Sequence, residues 1–240
     1  MPRKALKASH IGIRMNSKSA QMEARLSKAL DSTAASVKEQ TGLTIEREKC
    51  LYLQTIVDTM NQEVGAAQGL TFARAYEKSN KTHLKPDGGF WYVKEWGDPK
   101  RWVLIAEAKR QGTNDERKRQ GKEKQSLGNA IERMGKNMRL VDLLLLAEEI
   151  TPLVGFAEGC DFAPDSYIID RAAALNSFFP LNKIHVQKVP VMHGGKRLDA
   201  LKPISLFCRE SPWTPAEMHK VLLRVALDAI AYYRKRYNLQ

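Results

Sequence analysis

The chain has no long apolar run. No stretch reaches the roughly 20 residues that a membrane-spanning helix needs. The longest, the four leucines at 143–146, is flanked by Asp142, Glu148 and Glu149 and reads as one face of a soluble helix. Cysteine is scarce: Cys50, Cys160 and Cys208 are odd in number, far apart and in neither a CxxC nor a zinc spacing. That excludes a disulfide framework and leaves buried, reduced thiols of a cytoplasmic protein as the reading. The five histidines (His10, His83, His185, His193, His219) are scattered without ligand spacing. Neither G-x-S-x-G nor G-x-x-x-x-G-K-[ST] occurs, so there is no hydrolase elbow and no phosphate-binding loop of that type. The basic start, Met1 to Lys7, is followed by no apolar stretch or cleavage site, so no secretory signal is expected. Acid is short relative to base, 27 residues against 39, a formal net charge of +12. Hydrophobic residues make up 43% of the 240, enough for a sizeable core and too many for a disordered chain. The excess base calls for a polyanionic partner, nucleic acid or an anionic membrane surface, and composition does not choose between them.

Residues 1–16 read as a mobile basic arm and 17–240 as a single domain. A helix is expected over 17–40, from Met22, Leu26, Leu30 and Val37, and a second over 46–65, from Leu53, Ile56, Val57, Met60 and Val64. The run Phe90–Val93, the turn around Gly97-Asp-Pro99 and the run Arg101–Lys109 read as a hairpin. The polar stretch 112–126 reads as a loop or solvated segment. A helix over 129–150 follows from Ile131, Met134, Met138, Val141 and Leu145, then a strand at Val154–Glu158 and a short helix over 166–178. Strands are expected at Lys183–Val189 and Pro203–Cys208. The last helix carries an N-cap, proline and capping-box glutamate in Thr214-Pro-Ala-Glu217 and runs to about Tyr237. Its basic, aromatic end, Tyr232 to Tyr237, reads as helix surface. The order suggests an α/β domain with a mixed sheet.

Three segments carry chemistry. Lys85-Pro-Asp-Gly-Gly89 is, by itself, a turn. In Val103 to Lys109, Glu107 and Lys109 project to one side of the strand; by themselves they make an exposed ion pair. Together they say more. Asp87 precedes the first strand of the hairpin and Glu107 lies near the end of the second, 20 residues on, so antiparallel pairing can bring the carboxylates together. Two hard carboxylates suit Mg²⁺, whose shell waters and a substrate phosphate complete. A neighbouring ammonium offsets charge developing on the phosphate. Third comes Gly128-Asn-Ala-Ile-Glu-Arg133 with Lys136 and Asn137. Asn129 and Glu132 have capping-box spacing. The same geometry presents a helix N-terminus to phosphates and an amide to an adenine edge.

In order and spacing, these segments, with Gln111-Gly112, resemble the motifs of EcoRI-type restriction endonucleases, which carry the Pro-Asp…(Asp/Glu)-x-Lys pattern. The likeness spans 84–137, is weaker at 156–159 and 168–171, and is not seen in the first 70 residues. It implies a mixed central sheet flanked by helices. It also implies a homodimer that cuts both strands of a palindromic double-stranded DNA site with Mg²⁺, leaving 5′-phosphate ends, paired genetically with a DNA methyltransferase. By position, Asp87 and Glu107 resemble the metal-binding carboxylates, the Ala108 carbonyl a further ligand, and Lys109 the catalytic lysine. Gly128, Asn129, Ala130, Glu132 and Arg133 resemble the base-reading segment, and Lys85, Lys136 and Asn137 phosphate-contacting positions. A central AATT follows from that segment, with GAATTC as the favoured full site and CAATTG or a degenerate outer pair left open. Residues 124–127, Thr113 and the shorter region of Arg171 depart from the family pattern. A structure-specific nuclease of the same class and a non-catalytic basic DNA-binding module remain as alternatives.

Overall fold

The computed structural model describes residues 10–73, 82–112, 114, 117, 119–123, 130–164 and 166–240; of 10–16 and 130 it describes the backbone alone. Helix α1 spans His10–Thr41, so its first turns lie inside the segment read as an arm, and residues 1–9 are outside the described residues. Strands β1 (Ile45–Glu48) and β2 (Leu51–Tyr52) follow. Helix α2 (Leu53–Met60) continues through a π-helical turn at Asn61–Gly65. Next come β3 (His83–Leu84), β4 (Gly89–Val93) and β5 (Trp102–Arg110). Helix α3 (Ala130–Leu144), β6 (Leu153–Glu158) and α4 (Ile168–Leu175) lead to β7 (Val189–His193), β8 (Lys196–Leu201), β9 (Ser205–Arg209) and α5 (Pro215–Tyr237).

The central sheet has the order β1-β4-β5-β6-β9. β1, β4 and β5 pair antiparallel, while β5, β6 and β9 run parallel. It is the expected mixed sheet. One face is covered by α1 and α5, whose Leu26, Leu30, Leu222 and Ala226 pack on Val103, Ala106, Val154 and Phe156. The other face is covered by α2, α3 and α4, with Ile56, Met134, Val141 and Ile168 around Phe90, Ile105 and Leu206. The apolar stripe expected along α3 (Ile131, Met134, Met138, Val141, Leu145) is buried throughout. α5 begins as expected: Thr214 Oγ1 accepts from the Glu217 N–H, and the Glu217 carboxylate accepts from the Thr214 N–H.

Three local expectations are corrected. Residues 46–52 hold the end of β1, a bend and β2, not a helix. Ile-Glu-Arg-Glu alternates, and β1 is held at the sheet edge by ties from Glu46 to Tyr92 Oη (3.0 Å) and Lys94 Nζ (2.7 Å), so tertiary pairing overrides a helical pattern. Residues 183–188 form no strand: Gln187 makes one bridge to Ile150. Lys188 turns inward and gives its buried amino group to the Leu145 and Glu148 carbonyls (2.5 and 2.8 Å). The strands there are β7 and β8, a ribbon around Gly194-Gly195, both at left-handed φ (55° and 74°), as a tight hairpin turn demands. The end of α5 is not all surface. Tyr233 is buried, and Tyr232 and Tyr237 donate to Glu148.

Candidate active site

The site forms where the β4–β5 hairpin meets the parallel half of the sheet, near the C-terminal end of β5. Such strand ends are where open α/β sheets bind ligands. The hairpin puts Gly89 opposite Ala106, and the Gly88 N–H bonds the Ala106 carbonyl at 2.8 Å. A Cβ on Gly88 would stand 2.6 Å from the Ala106 Cβ, so the Pro-Asp-Gly-Gly turn needs glycine to lie this close to β5. That approach lays Asp87 against Glu107: the Asp87 N–H donates to Glu107 Oε2 at 2.9 Å. Asp87 Oδ2 in turn accepts from Lys109 Nζ (2.8 Å) and the Ala108 N–H (3.2 Å). Lys109 Nζ also lies 2.5 Å from Glu107 Oε1. Alternation on β5 does the rest: Ile105, Glu107 and Lys109 face the α3 side, while Ala106 and Ala108 pack beneath α1 and α5.

Taken alone, Glu107 and Lys109 read as an exposed pair; the fold makes them otherwise. Glu107 is 2% exposed, and its neighbour Asp87 is itself an acid. Burial pushes the Glu107 carboxyl above its ordinary range; Lys109 pulls it back and Asp87 pushes it further up. Burial works to lower the Lys109 pKa, but Glu107 and Asp87 outweigh it and hold the ammonium above its ordinary value.

Of the other candidates, Lys85 is exposed just before the Asp87 turn. Glu132, Arg133 and Lys136 are exposed on the first half of α3, and Ala130 is its first residue. Gly128 and Asn129 lie outside the described residues, as does the pairing of Asn129 with Glu132 in a capping box. Asn137 turns inward and donates its amide to Glu107 Oε1 at 3.0 Å. Sequence reasoning passed over Arg47, whose Nη2 donates to the Asp87 carbonyl at 3.0 Å from the neighbouring edge strand. It also passed over Glu158, buried at the end of β6 between Arg25 (2.6 Å) and Arg110 (3.8 Å). Only strand pairing brings these distant residues to the site's flank. The weak likeness at 156–159 was the one pointer to Glu158.

The residues fit a hard divalent cation. Two carboxylates converge on a single ammonium, which already occupies a cation's place between them. Among the described residues no group of three or more His, Cys, Asp or Glu could hold a metal. An ion here is therefore one completed by water and phosphate oxygens, as Mg²⁺ commonly is.

Comparison with known sequences gives the same direction. The family model described as restriction endonuclease EcoRI matches residues 11–167, and so reaches into the first 70 residues, where no motif likeness is visible. The type II restriction enzyme RsrI of Cereibacter sphaeroides is 31% identical over 175 residues, 61% of this chain and 63% of that protein. The type II restriction enzyme EcoRI of Escherichia coli is 36% identical over 100 residues, 38% of this chain and 36% of that protein. The chain thus matches less than two thirds of the length of either relative.

Proposed function

Since the chain belongs to the EcoRI restriction endonuclease family, we propose that it is a type II restriction endonuclease that hydrolyses double-stranded DNA at a palindrome with central AATT, GAATTC in full. The observation that carries this is the convergence of Asp87, Glu107 and Lys109 at the end of β5, close to the helix whose first turn follows the base-reading segment.

In this reading Asp87, Glu107 and the Ala108 carbonyl hold Mg²⁺, with Glu107 ionised as ligand. When bound, the ion neutralises charge on the phosphate and lowers the pKa of a coordinated water. Lys109, whose ammonium lies against both carboxylates, orients the attacking water and stabilises charge developing on the phosphate. Lys85, Arg47 and Lys136, all exposed beside the site, hold the DNA backbone. Asn129 reads an adenine edge, with Ala130, Glu132 and Arg133 beside it and Gly128 leaving room for the backbone. One such site cuts one strand. A palindrome needs two, so the enzyme acts as a homodimer whose two-fold axis matches that of the DNA. The products carry 5′-phosphate and 3′-hydroxyl ends. The cellular setting is the cytoplasm, where a methyltransferase of the same specificity protects host DNA.

Digesting a sequenced plasmid with Mg²⁺ and sequencing the ends tests all of this. Cuts at GAATTC are expected. Cuts at a palindrome without AATT would remove the base-reading assignment, cleavage of branched DNA alone would favour a structure-specific nuclease, and binding with no cleavage would leave a DNA-binding module.

A further inference from the structure

The Glu107 carboxylate is held from three elements. Asp87 supplies its backbone N–H from the turn before β4, Lys109 its ammonium from β5, and Asn137 its side-chain amide from α3. The last of these is the one that crosses from the helix layer to the sheet. A carboxylate has only acceptors, so the amide's NH₂ faces it and the amide oxygen faces away. Glu132, Arg133 and Lys136 are exposed on the same helix, whereas Asn137 is half-buried and aimed at Glu107. It sits among Met134, Met138 and Val141, which anchor α3 on the sheet. One of the two N–H groups of that amide is thus committed to Glu107, which leaves at most the other for the phosphate contact that its place in the motif implies.

We infer that Asn137 is a positioning residue: its amide sets the orientation of the Glu107 carboxylate and so ties α3, which starts at the base-reading segment, to the metal-holding end of β5. The inference rests on the nuclease reading above. The lever is short. Seven residues separate Ala130 from Asn137, about 10 Å along a helix, and α3 is clamped by its buried stripe. The helix therefore sits as one body, and the placing of its start on the DNA and the orientation of Glu107 are linked through one hydrogen bond. Outer groups that orient a ligand typically change metal affinity or activity by about 10–100-fold when removed.

Three measurements test this on the full-length protein. The first is Mn²⁺ affinity of the DNA-free protein by electron paramagnetic resonance. The second is affinity for a GAATTC duplex in EDTA, with its salt dependence. The third is kcat and KM for cleavage with Mg²⁺. Asn137→Ala is expected to weaken Mn²⁺ binding about 10–100-fold and to lower kcat. Duplex affinity in EDTA, its salt slope and KM should remain those of the wild type. Asn137→Leu, apolar and close to asparagine in size, should behave alike and serves if the cavity left by alanine makes that variant fold poorly; Asn137→Gln, which keeps a donor, should recover part of the loss. Unchanged Mn²⁺ affinity, with weaker duplex binding and a salt slope reduced by about one, would make Asn137 a phosphate contact and overturn the proposal. For the tie to α3, the background is Lys109→Ala, expected to bind DNA without cutting it. There GAATTC should tighten Mn²⁺ binding more than a scrambled duplex does, and adding Asn137→Ala should abolish the difference; persistence of the difference would refute the tie. If wild type and Asp87→Asn bind Mn²⁺ equally, the metal site itself fails, and with it the nuclease reading rather than this inference alone.

Discussion

Two buried glutamates stand at opposite ends of β5, and their surroundings differ in one respect. Glu148, 4% exposed, meets Arg101 at 3.2 Å and Arg236 at 3.6 Å, and accepts from Tyr237 Oη at 2.9 Å and Tyr232 Oη at 3.0 Å. A second carboxylate, Glu63, shares Arg101 at 3.1 Å. Two acids thus face two guanidiniums, and charge closes. At the other end Glu107 and Asp87 share the single ammonium of Lys109, and the neighbouring cation, Arg47, bonds the Asp87 main-chain carbonyl rather than either carboxylate, so two acids have one cation in direct contact. Burying a charge is costly unless it is paired. A structural site settles that cost within the protein, whereas a site for a cation leaves it to be settled by the ion. The difference lies in the local sum of charge, not in burial or hydrogen bonding, which the two glutamates share.

The contrast can be broken in order of expected effect. Lys109→Ala and Glu107→Gln should each lower cleavage by at least about a thousandfold, roughly 4 kcal/mol of barrier, with the fold intact by circular dichroism. Glu107→Gln has a second, opposite signature. Because the folded-state carboxyl is raised above its ordinary 4.5, the unfolded chain ionises first as pH rises. Stability is then lost from about that pH upward through the folded-state value. Removing the ionisation should leave the urea midpoint at pH 7 at or above that of the wild type; a clear fall would mean that Glu107 is structural after all. Glu148→Ala should do the reverse, costing about 3–5 kcal/mol of stability by leaving one acid, Glu63, against the two guanidiniums of Arg101 and Arg236, while cleavage per folded molecule stays unchanged. Equilibrium unfolding and active-site titration separate the two.

The Glu107 end is also expected to be selective. Asn129→Ala should cost about 1–3 kcal/mol of discrimination between GAATTC and a site altered in its central base pairs, with little change in low-salt non-specific binding. Competition binding at two salt concentrations reads it. The smallest effect is at the start of α5, where a half-buried carboxylate offers a third kind of environment. Arg209, bonded at 2.7 Å to each oxygen, and the Thr214 donors hold Glu217 down at about 2. Its contribution is therefore present above the ordinary value of 4.5 and lost as pH falls toward 2. Thr214→Ala should cost about 1 kcal/mol, and Glu217→Gln should flatten the acid limb of the stability curve over that window.

Much of this was legible before any coordinates. The capping box of α5, the apolar stripe of α3 and the β4–β5 hairpin rest on local chemistry, and each forms as its residues prescribe. The meeting of Asp87 and Glu107 needed only a hairpin and alternation. What misled was short-range pattern without pairing context. Residues 46–52 could satisfy a helix as well as a strand until β4 offered Tyr92 and Lys94. The alternation at 183–189 reflected Val186 turning into the core and Lys188 turning to the end of α3, not a strand. Gly194-Gly195 was a turn signal passed over.

Sequence alone determined the chemistry on offer: two acids and a lysine at hairpin spacing, a segment ahead of a helix that resembles the family's base-reading one, and an excess of basic charge. It did so because hairpin return and strand alternation are fixed by backbone geometry and need no partner. Tertiary structure alone decided the burial of Glu107, the sharing of one ammonium by two carboxylates and the approach of Asn137, 30 residues away, to the Glu107 carboxylate. It also decided that Glu148, a flanking acid of a leucine run, sits at the centre of a closed ion cluster. Those facts depend on which layers pack together, and packing is a property of the whole core.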